Sequence, residues 1–262
     1  MSALRSELVA AVDLSPQAAA AHDRAGWVGL FTEDGRVEDP VGSTPHTGSL
    51  AIGRFYETFI APRNIVFHHD ADIVCGSAVI RDVVLEVGMG PAVTMRIPAV
   101  LRYDLRQVGG EWKFERLRAY WELPAMVLQF IGNGLAAGPQ SVALGRALLA
   151  NQGLRGAAGF AAGFRGPRVR GKKTVRAFLD AIAVGDELRA RRALTSGATI
   201  TRGDKALKFS AFREALGERR PTKILASGSS VAVSMAGPSP AVVVAELDHR
   251  GRAISRLTYF TE

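Results

Sequence analysis

Cysteine is nearly missing from this chain. Cys75 is the single one among 262 residues, so no internal disulfide can form and no zinc site can rest on thiolates. No run of about 18 uninterrupted apolar residues occurs, and a membrane-spanning helix is therefore not expected. The opening residues bring in an acid at Glu7 and lack an apolar stretch, so a secretory signal is not expected either. The default expectation for location is the cytoplasm. Acid is absent from one long segment: between Leu123 and Leu179 there is no Asp or Glu. Neither composition nor length is unusual. Hydrophobic residues make up 47% and charged residues 22%, which excludes a wholly disordered chain, and the length favours two domains.

The acid-free segment accounts for the charge of the whole protein. Net charge is +8, from 33 basic and 25 acidic side chains. The segment carries Arg146, Arg155, Arg165, Arg168, Arg170, Lys172, Lys173 and Arg176, and its flanks are neutral. It is also rich in glycine, so residues 123–173 read as a helical, basic connector between two folded units. Apolar Pro124–Ile131, amphipathic Val142–Leu149 and the run Gly156–Phe164 precede the basic cluster. This pattern suits a lid or seam between units, or a peripheral contact with an anionic membrane surface. Nucleic acid is not expected, because exposed aromatics are not interleaved with the charges.

The two units share one order of elements. In residues 1–122, helical patterns come first: Ser6–Val12, a start at Ser15-Pro16, a segment after Asp23, and Ser49–Phe59. β-rich runs follow at Ile65–Val74, Ala78–Val87, Val93–Arg106 and Trp112–Trp121. Residues 174–262 repeat this order in shorter form. Asp23 to Asp39 spans 16 residues, as does Asp186 to Arg202, whereas Asp39 to Tyr120 spans 81 and Arg202 to Tyr259 only 57. The expectation is one α+β fold used twice, each copy a curved, antiparallel-rich sheet wrapped on helices, packed as an internal pseudo-dimer or as a homodimer.

Several single residues have bland readings. His68 and His69 point to opposite faces of a strand and cannot enter one pocket together. Asp70 and Asp72 share a face but lack a third partner for a metal. Arg102 and Asp104 share a face and read as an ion pair.

The motif Val37-Glu38-Asp39-Pro40-Val41-Gly42, then Phe55-Tyr56, Val100–Asp104 and the closing Ala119-Tyr120-Trp121 resemble ketosteroid isomerases in order and spacing. That family belongs to the cone-shaped (cystatin-like) nuclear-transport-factor-2-like and polyketide-cyclase-like, or SnoaL-like, group. The resemblance covers roughly residues 5–122. It implies that Asp39 is a general base moving a proton between carbons, supported by Tyr56. It also implies an apolar substrate pocket at Phe31, Phe55, Met95, Ile97, Ala99, Leu117, Ala119 and Trp121, with no cofactor and no metal.

The family's oxyanion hole is not carried over. Its tyrosine position falls at or near Ser15, with no tyrosine before Tyr56. Its aspartic acid position falls at Ala99, with no acid between Glu86 and Asp104. One such donor is worth about 10²–10³ in rate. Two readings therefore stand: an isomerase-like enzyme, or a non-catalytic carrier of apolar steroid- or polyketide-like ligands. In the second unit the base position is Arg202, and that half is not expected to catalyse this chemistry.

Overall fold

Leu8, Val12, Ser15 and Ala19 recur at helical spacing, and a single helix, α1 (Ala3–Ala20), buries that stripe. The helix start expected at Ser15-Pro16 is corrected, because Pro16 lies inside α1. A proline there forfeits a backbone hydrogen bond at a cost of about 3 kcal/mol. The apolar stripe continues through it to Ala19, and that burial holds the helix together. A computed structural model of the chain describes residues 3–89, 93–132 and 168–262, together with 145–146, 150–151, 153, 158–159 and 166. Val142–Leu144, Ala147–Leu149, most of Gly156–Phe164 and Arg165 lie outside the described residues.

The first unit continues with α2 (Arg24–Gly29), β1 (Phe31–Glu38), β2 (His46–Thr47) and α3 (Gly48–Phe59). Asp23 caps α2, its carboxylate accepting from the Gly26 amide at 2.8 Å. Four long strands follow: β3 (Asn64–Cys75), β4 (Ala78–Gly88), β5 (Thr94–Val108) and β6 (Glu111–Tyr120). The sheet order is β2-β1-β6-β5-β4-β3, with β1 and β6 parallel and the other neighbours antiparallel. Its inner face wraps α1, α2 and α3, and α4 (Leu123–Gly132) leaves the end of β6 to join the same core through Leu123 and Phe130.

The second unit repeats this arrangement element by element. Helices α5 (Arg168–Ala183) and α6 (Glu187–Arg192) lead to β7 (Leu194–Arg202), β8 (Lys205–Ala206) and α7 (Phe209–Leu216). Strands β9 (Arg220–Ser227), β10 (Ser230–Ala236), β11 (Ala241–Leu247) and β12 (Ile254–Thr261) complete a sheet of order β8-β7-β12-β11-β10-β9. Asp186 caps α6 as Asp23 caps α2. Both sheets are open, and the fold is α+β with two cystatin-like units. Strands β9, β10 and β11 have 8, 7 and 7 residues, where β3, β4 and β5 have 12, 11 and 15. The shortening read from the sequence lies here. Helix α5 reaches back to Arg168, so Arg170, Lys172 and Lys173 stand on its first turns.

The outer faces of the two sheets meet. Val41, Ile73, Ile80, Val100 and Tyr120 form one buried cluster with Leu225, Ala232, Val242, Val244 and Phe260. This second buried face explains why β4 and β10 are buried on both sides over most of their length instead of alternating. Lys223 Nζ ties the seam to Asp82 at 2.5 Å and Asp70 at 3.1 Å, and Arg102 lies over the Phe260 ring at 4.9 Å. Gly42 and Gly228 touch back to back: a Cβ on Gly228 would stand 2.6 Å from Gly42 Cα. On the inner face, Arg81 is fully buried and donates to Asp72 and Asp13 at 2.7 Å. Asp72 is thus a structural counter-charge, and Asp104 pairs with both Arg102 and Arg118.

Candidate functional site

Strand alternation places Leu85 and Val87 of β4 on the inner face, opposite Ile97 and Met95 of β5. Ile65 of β3 continues the rung beyond Val87. On α3, Phe55 and Phe59 lie one turn apart and face this surface. Between them opens a cavity of about 110 Å³, lined also by Asp39, Arg63, Met89, Trp121 and Met126 of α4. Ten of these twelve residues present only carbon or sulfur, or the indole of Trp121.

Asp39 follows directly on β1, where the chain turns through a cis bond to Pro40. The Val41 amide then donates to the Ala119 carbonyl at 2.9 Å, which holds the end of β1 beside the end of β6. Trp121 emerges from that end, and its Nε1–H donates to Asp39 Oδ1 at 2.5 Å. The apolar surroundings push the Asp39 carboxyl up to about 6, against the smaller opposing effect of the indole hydrogen bond. A carboxyl so poised is proton-accepting near neutral pH and retains part of its accessible surface at the cavity.

Of the residues implied by the resemblance, Asp39, Phe55, Met95, Ile97 and Trp121 line the cavity. Phe31, Ala99, Leu117 and Ala119 are buried in the surrounding core and do not line it. Phe31 is held deeper, between the rings of Trp27 at 5.0 Å and Phe114 at 5.3 Å. The two alanines are too short to reach past their neighbours. Tyr56 does not line the cavity either. It packs on Trp27 at 5.6 Å, and its buried hydroxyl has no hydrogen-bond partner among the described residues. Burial, then the charges of Asp23 and Glu57, raise its pKa, and Asp39 plays no part.

The hydroxyl that does sense Asp39 is Tyr103, which the sequence reading did not single out. It is buried, its pKa is pushed up to about 12 chiefly by burial, and Asp39 is among the charges acting on it. Tyr103 is hydrogen-bonded with Ser15, and Ser15 Oγ accepts from Trp27 Nε1 at 3.1 Å. Ser15 therefore belongs to a buried polar chain beneath the cavity. Phe59, Leu85 and Val87 could have been found from periodicity, since each repeats a named position one turn or one rung away. Arg63 and Met126 carry no such local signal, because they arrive from a loop and from α4.

Residues 8–129 match the nuclear transport factor 2 (NTF2) domain. The first unit is an NTF2-like domain. Among solved structures, the Δ5-3-ketosteroid isomerase from Mycobacterium sp. is 28% identical, covering 46% of this chain and 96% of its own, with a TM-score of 0.41. A Mycobacterium tuberculosis protein in complex with estradiol-17beta-hemisuccinate is 24% identical, over 45% of this chain and 95% of its own, at 0.41. An epoxide hydrolase from M. tuberculosis is 14% identical, over 50% and 94%, at 0.42.

The interior of the second unit is filled differently. Phe178 stacks on Phe212 at 6.1 Å, Tyr259 meets Phe212 edge to face at 5.7 Å, and the Tyr259 hydroxyl donates to the Ala215 carbonyl. Arg202, at the position of the NTF2-like unit's aspartate, is exposed and donates to the Glu262 backbone carbonyl. Among the described residues, no helix is long and apolar enough to cross a membrane.

Proposed function

We propose that the NTF2-like unit binds an apolar, ring-containing small molecule in the Asp39 cavity, with Asp39 as the base that takes a proton from a carbon of the ligand. The observation that carries this reading is one carboxyl with its pKa near 6, aimed into a wall of aliphatic and aromatic carbon. A weakly solvated carboxylate is a stronger base toward a carbon acid, and an apolar wall excludes competing water. Trp121 holds the carboxyl in place through one oxygen and leaves the other to accept the proton. Helix α4 closes over the cavity through Met126 and acts as its lid.

A second reading is favoured by a specific observation. Among the described residues that line the cavity, Trp121 and Arg63 alone offer a hydrogen-bond donor to a developing enolate. Ala99 and Ser15 stand where the resemblance would put the family's two donors, and Ser15 is already engaged. Under this reading the unit is a carrier or sensor, and Asp39 is a polar anchor without turnover.

One pair of measurements separates them. A neutral polycyclic fluorescent probe should bind the full chain at about one per molecule, and Asp39→Asn should keep or tighten that binding. Proton exchange or isomerisation of an unsaturated ketone should fall in Asp39→Asn by roughly 10²–10⁴. Binding with no exchange in the unaltered protein supports the carrier, and exchange that survives Asp39→Asn refutes Asp39 as the base.

A further inference from the structure

Arg63 is the second charge in a cavity otherwise built of carbon and sulfur, and the chemistry of Asp39 does not use it. It lies in the short connection between α3 and β3. Its Nη1 donates to the Thr58 carbonyl at 2.7 Å, and its Nε sits 3.1 Å from the Met89 sulfur. These contacts hold the guanidinium at the end of α3, where a cation is favourable. They occupy only part of its donor fork. Among the described residues no carboxylate pairs with Arg63, and its Nη2 has no acceptor. Burial pulls its pKa down to about 10, so it stays protonated at neutral pH, and the Phe59 ring, with its centroid 6.0 Å from the guanidinium carbon, compensates the charge only in part.

Arg63 and Asp39 stand at different places in the cavity. Tyr120, next to Trp121, is level with Val100 and through it with Asp82 on β4. Asn64, next to Arg63, is level with Gly88. Six residues of β4 separate those levels, roughly 20 Å of sheet at about 3.3 Å per residue. Neither charge perturbs the other. A ligand bridging them crosses the two apolar rungs Ile65–Val87–Met95 and Leu85–Ile97.

We propose that Arg63 selects an amphipathic ligand, with an apolar ring system over the β4–β5 rungs and a carboxylate or equivalent anionic group seated on the free edge of the guanidinium. This deepens the reading of the cavity as a ligand site and rests on it. The anion regains for Arg63 the charge-assisted hydrogen bonds that burial removed. It also fixes orientation, because the anionic end is repelled from ionised Asp39 and attracted to Arg63. The reacting carbon is thereby delivered to the carboxyl.

The test compares 1-pyrenebutyric acid with neutral 1-pyrenebutanol on the full chain at pH 7.5, by fluorescence titration. The acid is expected to bind about tenfold tighter than the alcohol. In Arg63→Met, which keeps length and apolar packing, the preference of acid over alcohol should shrink to within about threefold. Arg63→Lys should retain part of it. If Arg63→Met does not fold, the comparison in the unaltered protein and in Arg63→Lys decides. Equal affinity for acid and alcohol in the unaltered protein overturns the role of Arg63 and leaves the cavity reading standing. A preference that persists in Arg63→Met overturns it too, and no binding of either probe overturns both.

Discussion

Replacing Asp39 with Asn should stabilise the protein, and by an amount that depends on pH in a defined way. The native carboxyl titrates near 6, against 3.8 for the ordinary group. The native state therefore holds its proton to higher pH than the unfolded chain does, so stability falls as pH rises between those two values. A shift of about two units corresponds to roughly 3 kcal/mol, fully felt above pH 7. Asn keeps the shape and an oxygen for the Trp121 indole, but a neutral acceptor returns about 1 kcal/mol less than a charged one. The net gain at pH 7.5 is then about 2 kcal/mol, or some 4–8 °C in Tm for a chain of this size. At pH 4 the carboxyl is largely protonated in the native state and the gain vanishes. Differential scanning calorimetry of both proteins from pH 4 to 8 measures this. A Tm difference that is flat across that range, or one that favours Asp39 at pH 7.5, refutes the account of a desolvated carboxyl in an apolar cavity.

Trp121→Phe removes the one hydrogen bond that lowers the Asp39 pKa while keeping an aromatic wall, so the carboxyl should titrate above 6; a carbon-detected NMR titration showing a fall refutes this assignment. Gly228→Ala places a methyl 2.6 Å from Gly42 Cα at a backbone angle of φ +56°, so the seam should loosen and stability drop by more than about 1 kcal/mol. Urea unfolding with unchanged midpoint would show that the units do not depend on that close approach.

The order of elements was legible in the sequence because it rests on local periodicity. Helical stripes gave way to β-rich runs after Asn64, and the equal spacings Asp23–Asp39 and Asp186–Arg202 marked the second unit as a copy, whereas β1 and β7, which come before α3 and α7, were not read from the pattern. Asp39 was legible through its motif, and Phe55, Met95, Ile97 and Trp121 through position in the resemblance. What local pattern could not carry was decided by tertiary packing. Pro16 reads as a helix start, yet the buried face of α1 runs straight past it. Tyr56 and Tyr103 are alike as residues. Packing against Trp27 turns one away from the cavity, while β5 carries the other beneath it, within reach of the Asp39 charge. Arg63 has no sequence signature at all, because its place at the cavity depends on how the end of α3 meets the far ends of β4 and β5. The Asp39 pKa is the same kind of quantity: an aspartate beside a proline titrates normally in an open chain, and only the closing of apolar side chains from several distant segments around it raises the pKa to about 6.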